Sequence, residues 1–423
     1  MDRCRWMSGV LVGALAMVVG DLGEARAESV TLDEVLEQVP LQHETWEITE
    51  MQMRRSQALR RDAFARLLPQ LNATGSVTYQ GREVDVGDQT LVRRIGWGVG
   101  STASIALFDG PAYFDYWRAG AEADATEQGA MWQRHVLQLD AELAFFTLAS
   151  AQREVEIAEA ALEIREEYRE RAEALLEAGL AVSVDAMRAR AEVLDAQQGL
   201  LEAEAALGDA ADSLATLLGR QADGSLRADV EPSEIDVDPP GERASISEER
   251  VDFVSQRFRI EAAELGRRAT WWGLAPRVEL RFNTDWGPTT LFNPDRFSWS
   301  ATVAATWNLY DGGGRYARAD AAQADVRRQE LELQRDLREA DAQVARAMRQ
   351  WRSTAAAIEV AEQRLEVARE VYDQEITKFE AGLVTSLEVS DASQELLNAE
   401  LGLNQTRLRA RLAEVQYRYL VEQ

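Results

Sequence analysis

The chain has 423 residues, and its 73 Asp and Glu against 46 Lys and Arg leave a formal charge of −27. Nucleic-acid binding needs clustered Lys and Arg to displace phosphate counterions, so this balance excludes it. Cys4 is the one cysteine, which excludes an intramolecular disulfide.

Residues 1–27 read as an export signal: Arg3 and Arg5 lead an apolar run over 7–19, and Ala25-Arg26-Ala27 forms the cleavage pattern. Cys4 leaves with that segment, so a mature product beginning near Glu28 has no thiol. No later stretch approaches the roughly 20 apolar residues of a membrane helix. Residues 28–70 are expected to be a helical part, ending at Pro69.

A strand hairpin follows over 71–108, and its two arms alternate. Segment 95–108 puts Ile95, Trp97, Val99, Ala103, Ile105 and Leu107 on one face, with Ser101 as the exception, and 71–80 does so more weakly. Residues 109–218 then form a first helical hairpin: an outgoing helix to about Ala178, a tip at Gly179-Leu180, and a return helix from Ser183. The insertion 219–247, rich in proline and acids, cannot be a long helix and is placed as an irregular belt around the middle of the helices. A helix over 248–275 leads to a second strand hairpin, 276–310. Here Val278, Leu280, Phe282, Thr284 and Trp286 oppose Arg277, Glu279, Arg281, Asn283 and Asp285, and Phe297 to Leu309 alternates likewise. A second helical hairpin, 311–423, turns at Gly382-Leu383.

The second half repeats the first. Leu107-Phe108-Asp109-Gly110 recurs as Leu309-Tyr310-Asp311-Gly312, and Glu177-Ala178-Gly179-Leu180 recurs 203 residues later as Glu380-Ala381-Gly382-Leu383. Duplicated elements commonly build one continuous surface. The outgoing helices would each reach roughly 100 Å at about 1.5 Å per residue. Leu337, Ala340, Val344, Ala347, Trp351, Thr354, Ile358, Ala361, Leu365, Ala368 and Tyr372 keep a 3-4 spacing, the mark of a left-handed coiled coil. Gly179 and Gly382 supply the positive φ that ends a helix, and Ser183 and Ser386 are the expected caps of the return helices.

Strands about ten residues long, apolar on one face, suit a transmembrane β-barrel wall; alternation alone suits a β-sandwich equally. The charged face over 277–285 favours the barrel. So do Trp97, Trp286 and Trp299 near the loop ends, which with Trp307 form the expected membrane girdle. Segments 82–94 and 287–296 are then outward loops. Four strands cannot close a barrel, since closure begins at about eight and lipid tolerates no open edge. Three copies giving a twelve-stranded barrel is the preferred closure.

In the order and spacing of these parts the chain resembles the outer-membrane efflux protein family, the TolC-like exit ducts. The resemblance is carried by Leu67-Leu68-Pro69-Gln70-Leu71, Phe108-Asp109-Gly110, Tyr310-Asp311-Gly312-Gly313 and the tips Ala178-Gly179-Leu180 and Ala381-Gly382-Leu383. It implies a mainly α protein whose coiled-coil hairpins form a trimeric α-barrel beneath the β-barrel, in the outer membrane and extending into the periplasm. It implies a homotrimer that takes substrates from an inner-membrane pump, through a periplasmic adaptor (membrane fusion) protein meeting the tips, in efflux or type I secretion; no cofactor is implied. Acidic rings six and nine positions after the tip glycine are implied at Glu388 and Asp391, with Asp185 six after Gly179. Charged rings select ions by sign, although an ordinary solvated helix carboxylate is an equally simple reading of each. The positions matching the family's tyrosine and arginine latch hold Phe379 and Val384, a departure that leaves apolar contact to close the entrance.

An enzyme finds little support. His43 and His135, the two histidines, have no partner spacing for a triad or metal site, and 311–315 lacks the Lys-Ser/Thr ending of a phosphate loop. A structural coiled-coil tether between membrane and periplasm is the other alternative; it would need no polar lumen.

Overall fold

The computed structural model describes residues 29–82, 84–86, 89–92, 94–179, 182–230, 241, 249–287 and 296–421. The expected export signal, the tip residue Leu180, most of the second outward loop and the later part of the belt lie outside them. The described chain opens with β1 (Ser29–Val30), α1 (Leu32–Gln42) and α2 (Glu44–Ala65). The expected single helical stretch breaks at His43, an extended residue whose Nδ1 accepts from the Thr45 N–H at 3.1 Å and so caps α2.

The two-faced sheet is built from β2 (Gln70–Tyr79), β5 (Ile95–Phe108), β7 (Arg277–Trp286) and β8 (Phe297–Thr306), antiparallel and in that order. Inside the expected first loop sits a small hairpin, β3 (Val84–Val86) with β4 (Gln89–Val92). The last expected strand ends at Thr306 instead of Tyr310. Thr306 pairs with Arg277, the first residue of β7, so the ladder has no partner beyond it. Trp307 instead donates its indole N–H to the Leu274 carbonyl at 2.9 Å.

Two helices run the length of the helical part: α3 (Gly110–Glu177), of 68 residues, and the helix called here α6 (Gly314–Glu380), of 67. The shorter α4 (Ser183–Leu217), α5 (Val251–Trp272) and α7 (Ser386–Val421) fill the wall between and beside them. Near the sheet, α2 and α5 flank α3, and α5 bridges to α6; toward the tips α4 and α7 take those places. The return helices are shorter than their outgoing partners because a second short helix completes each row. α6 starts three residues later than expected, since Gly312 and Gly313 both hold positive φ.

The coiled-coil seam is recovered as packing. Ala340, Val344, Trp351, Thr354 and Ala368 are buried, and Val344, Met348 and Trp351 meet Ala413 and Tyr417 of α7. The largest cluster lies at mid-height, where Phe145, Leu148, Leu214, Leu218, Val35 and Val39 pack with Val415. The belt there is not wholly irregular, because β6 (Arg227–Ala228) pairs in parallel with β1. The belt is tied to α3 through Gln152, whose amide exchanges hydrogen bonds with the Ala228 backbone. Within the same core Glu142 is wholly buried and ion-paired with Arg418 of α7.

Candidate functional site: a two-faced sheet and a fastened helical tip

Register decides which residues share a face. Leu71, Val77 and Tyr79 of β2 stand opposite Ala103, Trp97 and Ile95 of β5; Val99, Ala103 and Ile105 stand opposite Trp286, Phe282 and Leu280; those three meet Phe297, Ala301 and Val303. One face is therefore apolar across all four strands, and it has nothing over it: Val77 is 79% exposed and Val303 64%. Such an uncovered face is far from what water tolerates as one continuous patch. Ser101, the exception in the pattern, sits opposite Thr284, and their hydroxyls bond each other at 2.7 Å. Leu107, exposed like Ile95, Trp97 and Val99, falls at a bulge between Ala106 and Phe108 that shifts the register with β7.

The other face carries Asn72, Thr74, Thr102, Arg281, Asn283, Asp285, Ser298 and Ser300, with Thr102 donating to Asn283 at 2.9 Å and Arg281 pairing with Glu279 at 3.2 Å. Ten-residue strands measure about 33 Å along the strand, which on a tilt of roughly 40° matches an apolar band about 25 Å tall. Trp97, Trp286 and Trp299 crowd the loop end of the apolar face, the first two edge to face at 6.1 Å. Trp307 lies at the opposite margin, beside the helices.

The strand-to-helix junctions fix sheet to helices. Asp109 caps α3 by accepting the Ala112 N–H, and its second oxygen pairs with Arg277 of β7 at 2.6 Å. Gly110 permits this closeness, since a Cβ there would stand 2.8 Å from Cβ of Trp272. The repeat-related Asp311 instead accepts from Arg315 and Arg318 at the start of α6.

At the far end both outgoing helices turn through glycine at φ 73°. Leu383 N–H reaches the Lys378 carbonyl and Gly382 N–H that of Phe379, the two bonds of a Schellman turn. Gly179 and Leu383 are exposed at these turns. The expected serine caps are not used: Val182 precedes α4 without a side-chain cap. On α7 the Glu388 carboxylate bonds both the N–H and the hydroxyl of Thr385. Those two donors hold the Glu388 carboxyl below the usual glutamate range.

The structure fastens one tip to the other, joining Ser386, Asp185 and Phe379, which the sequence singled out for other roles, to Tyr168, Arg171 and Arg188, which it did not. Ser386 donates its hydroxyl to Asp185 at 2.6 Å and accepts from Arg188 at 2.8 Å, while its carbonyl takes the Tyr168 hydroxyl at 3.4 Å. Arg171 reaches Glu380 at 3.3 Å. Phe379 is buried against Tyr168, ring centroids 5.4 Å apart, with Val389 and Ala172 around it, and Val384 packs on the same cluster. Burial there pushes the Tyr168 hydroxyl up to about 12. Phe379 and Val384 thus touch each other's surroundings within one chain, and Asp185 is half-buried at the tip contact, whereas Glu388 and Asp391 are exposed. Among the described residues no group of His, Cys, Asp and Glu could hold a metal, and no helix is long and apolar enough to cross a membrane.

Residues 47–220 and 244–421 match the sequence model of a family described as outer membrane efflux protein. No curated protein sequence matches the chain. Among solved structures, CusC superposes with a TM-score of 0.81 at 19% identity, covering 92% of each chain. The outer membrane protein VceC of Vibrio cholerae gives 0.77 at 19%, covering 92% of this chain and 95% of that one. The open state of the outer membrane channel MtrE of Neisseria gonorrhoeae gives 0.72 at 20%, covering 92% and 88%.

Proposed function

The chain belongs to the outer membrane efflux protein family and is an exit duct of the outer membrane, and from that premise we propose that it works as a homotrimer closing a twelve-stranded barrel above a helical tunnel. The observation that carries this reading is the sheet: four strands, apolar on one face and polar on the other, with β2 and β8 each left with an unpaired edge. Lipid tolerates no such edge, and β8 of one copy joined to β2 of the next removes all of them. Trp97, Trp286, Trp299 and Trp307 then mark the two margins of the membrane band.

Unpartnered apolar stripes on the helices support the same assembly. Val184, Met187, Leu194 and Leu201 are exposed on α4, and Val360, Val367 and Val371 on α6. These helices are the outer two of the four-helix row, so α4 of one copy meets α6 of its neighbour.

The tips receive a periplasmic adaptor, which links the duct to an inner-membrane pump, in drug or metal efflux or in type I secretion. Gly179 and Gly382 shape those tips, and Leu383, at 76% exposure, offers an apolar contact; Leu180 is assigned the matching place. Asp185, Glu388 and Asp391 form the charged entrance that prefers cations, and the Phe379 and Val384 cluster holds it narrow. Bilayer recordings test this: purified trimers should conduct with cation preference, and neutralising Glu388 and Asp391 together should weaken it. Material that stays a single soluble protomer without conductance overturns the duct assembly; unchanged reversal potentials overturn only the charged entrance.

A further inference from the structure

The apolar face of the sheet continues past the ends of the strands. Beyond the bulge Phe108 stands opposite Val278, on the face that also carries Leu280 and Phe282. Its ring meets Trp272 of α5 edge to face at 6.1 Å, Trp272 stacks on Phe114 of α3 at 6.0 Å, and Phe114 meets Trp117 at 5.1 Å. Trp117 is 50% exposed, and Trp271 and Trp272 of α5 and Tyr316 of α6 are exposed at the same end of the helices. Tyr116 stands 100° of helix turn to the other side of Trp117. It meets Phe64 of α2 at 5.5 Å and carries the Arg60 guanidinium over its ring at 5.9 Å. An aromatic collar thus crosses α2, α3 and α5 directly below the sheet.

A repeated basic motif lies beneath that collar. Arg60-Arg61-Asp62-Ala63-Phe64, leading to Leu67 and Pro69, recurs 207 residues later as Arg267-Arg268-Ala269-Thr270-Trp271, leading to Leu274 and Pro276. Residues four apart share a helix face, so Arg60 stands below Phe64, and Arg268 below Trp272, one turn or about 5.4 Å farther from the strands. Arg61 is exposed and has no ion pair among the described residues. Arg268 is 54% exposed and meets Glu264 at 3.4 Å, a contact that solvent screens. The four segments at this junction, 60–66, 109–118, 264–277 and 311–318, hold nine arginines and five acids in a chain of formal charge −27. The sign of the charge therefore reverses where the helices meet the sheet.

We propose that this collar binds anionic phospholipid headgroups of the leaflet facing the helices, through the basic ends of α2 and α5. Exposed Trp and Tyr settle at headgroup depth, and guanidinium groups one turn below them are placed to take phosphate oxygens in bidentate fashion. The continuity of the collar with the lipid-facing side of the sheet puts both on the membrane side of the wall. A free phosphate would leave the exposed aromatic rings unused, and a zwitterionic headgroup brings no net charge to offset the arginines. The proposal rests on the duct reading above and adds lipid as a bound partner.

The test uses the full chain as its assembled oligomer in detergent, titrated with phosphatidylglycerol and, as control, phosphatidylcholine, with bound lipids counted by native mass spectrometry. Saturable retention of phosphatidylglycerol in preference to phosphatidylcholine is expected. Each exposed arginine near an anionic surface strengthens binding by roughly fivefold, so R60Q/R61Q/R268Q should weaken retention by about tenfold or more. R338Q/R346Q/R349Q, which removes the same charge from exposed positions midway along α6, should leave it unchanged. Equal retention of the two lipids, unchanged retention in the first variant, or equal weakening by the second each overturns the lipid site. If the first variant does not assemble, the comparison of the two lipids on the unaltered chain decides alone. Conductance of the same preparation in planar bilayers separates the two readings: a conducting oligomer without lipid preference sinks the lipid site and leaves the duct standing.

Discussion

Arg277 at the foot of β7 and Asp109 at the head of α3 are joined by an ion pair of 2.6 Å, so the second strand hairpin is bolted to the first long helix. Asp109 also caps that helix, and the two roles can be separated. D109N keeps a capping oxygen and loses only a pair whose arginine is 62% exposed, an effect within about 1 kcal/mol. D109A loses the cap as well and should cost a further ~1 kcal/mol. Thermal unfolding of the two variants checks the order; equal losses would mean the cap contributes nothing.

The buried pair between Glu142 and Arg418 holds the end of α7 to α3. Glu142 has no exposure, and α7 is further fixed by Asn404, which donates to Ser150 Oγ at 3.0 Å, and by Arg411 over the Phe146 ring at 4.7 Å. R418M leaves a carboxylate uncompensated in this core and should destabilise by about 3 kcal/mol, whereas E142L combined with R418M should be close to neutral. Denaturant unfolding in detergent measures both. A double variant as unstable as the single one would show that the site depends on the ions for more than charge balance.

Val303 and Ser300 lie on opposite faces of β8, the first among Leu280 and Ile105, the second beside Asn283. V303R should weaken the assembled barrel by about 2–4 kcal/mol, the cost of a cation at mid-membrane depth. S300R should leave assembly intact and lower cation conductance. Urea resistance of the oligomer and single-channel recording report the two effects, and the reverse pattern would exchange the faces.

Two tyrosines predict the alkaline limit of the helical part. Burial pushes Tyr168 up to about 12, and burial followed by the Glu142 carboxylate pushes Tyr419 to about 12 as well. An acid whose folded pKa is raised favours its neutral form. The contribution is therefore full below the ordinary tyrosine pKa near 10 and is lost as pH climbs from about 10 to about 12. Ultraviolet titration should show a phenolate component near 12 that shrinks in Y168F and Y419F, together with falling stability across that window. Tyrosines that all ionise near 10 with unchanged stability would contradict the assigned burial.

The two-faced sheet was legible because period-2 contrast is strong where Arg277, Glu279 and Arg281 interleave with Val278, Leu280 and Phe282. Its end was not, because 307–310 keeps alternating although β7 has no residue left to pair with it. The tip glycines were legible because few other residues take φ 73°. The fastening of Ser386 to Asp185 joins residues 201 positions apart, and nothing local in either helix announces it. Ser386 reads as a cap from its neighbours, and the cap turns out to be the Thr385 and Glu388 pair. The break at His43 was hidden for a similar reason, since α1 carries Pro40 within its last turn and the helix signal runs on past it.

The bare margins of β2 and β8 bear on how the molecule is made. A single copy can pair each outgoing helix with its return helix alone, although the stripes on α4 and α6 stay bare until a neighbour arrives. It cannot safely finish the strand portion, since two hungry hydrogen-bonding rims and a greasy flank would recruit any extended peptide nearby. On the trimer reading, maturation is ordered in time, with the rods forming early and the strands settling only when sister copies and bilayer arrive together.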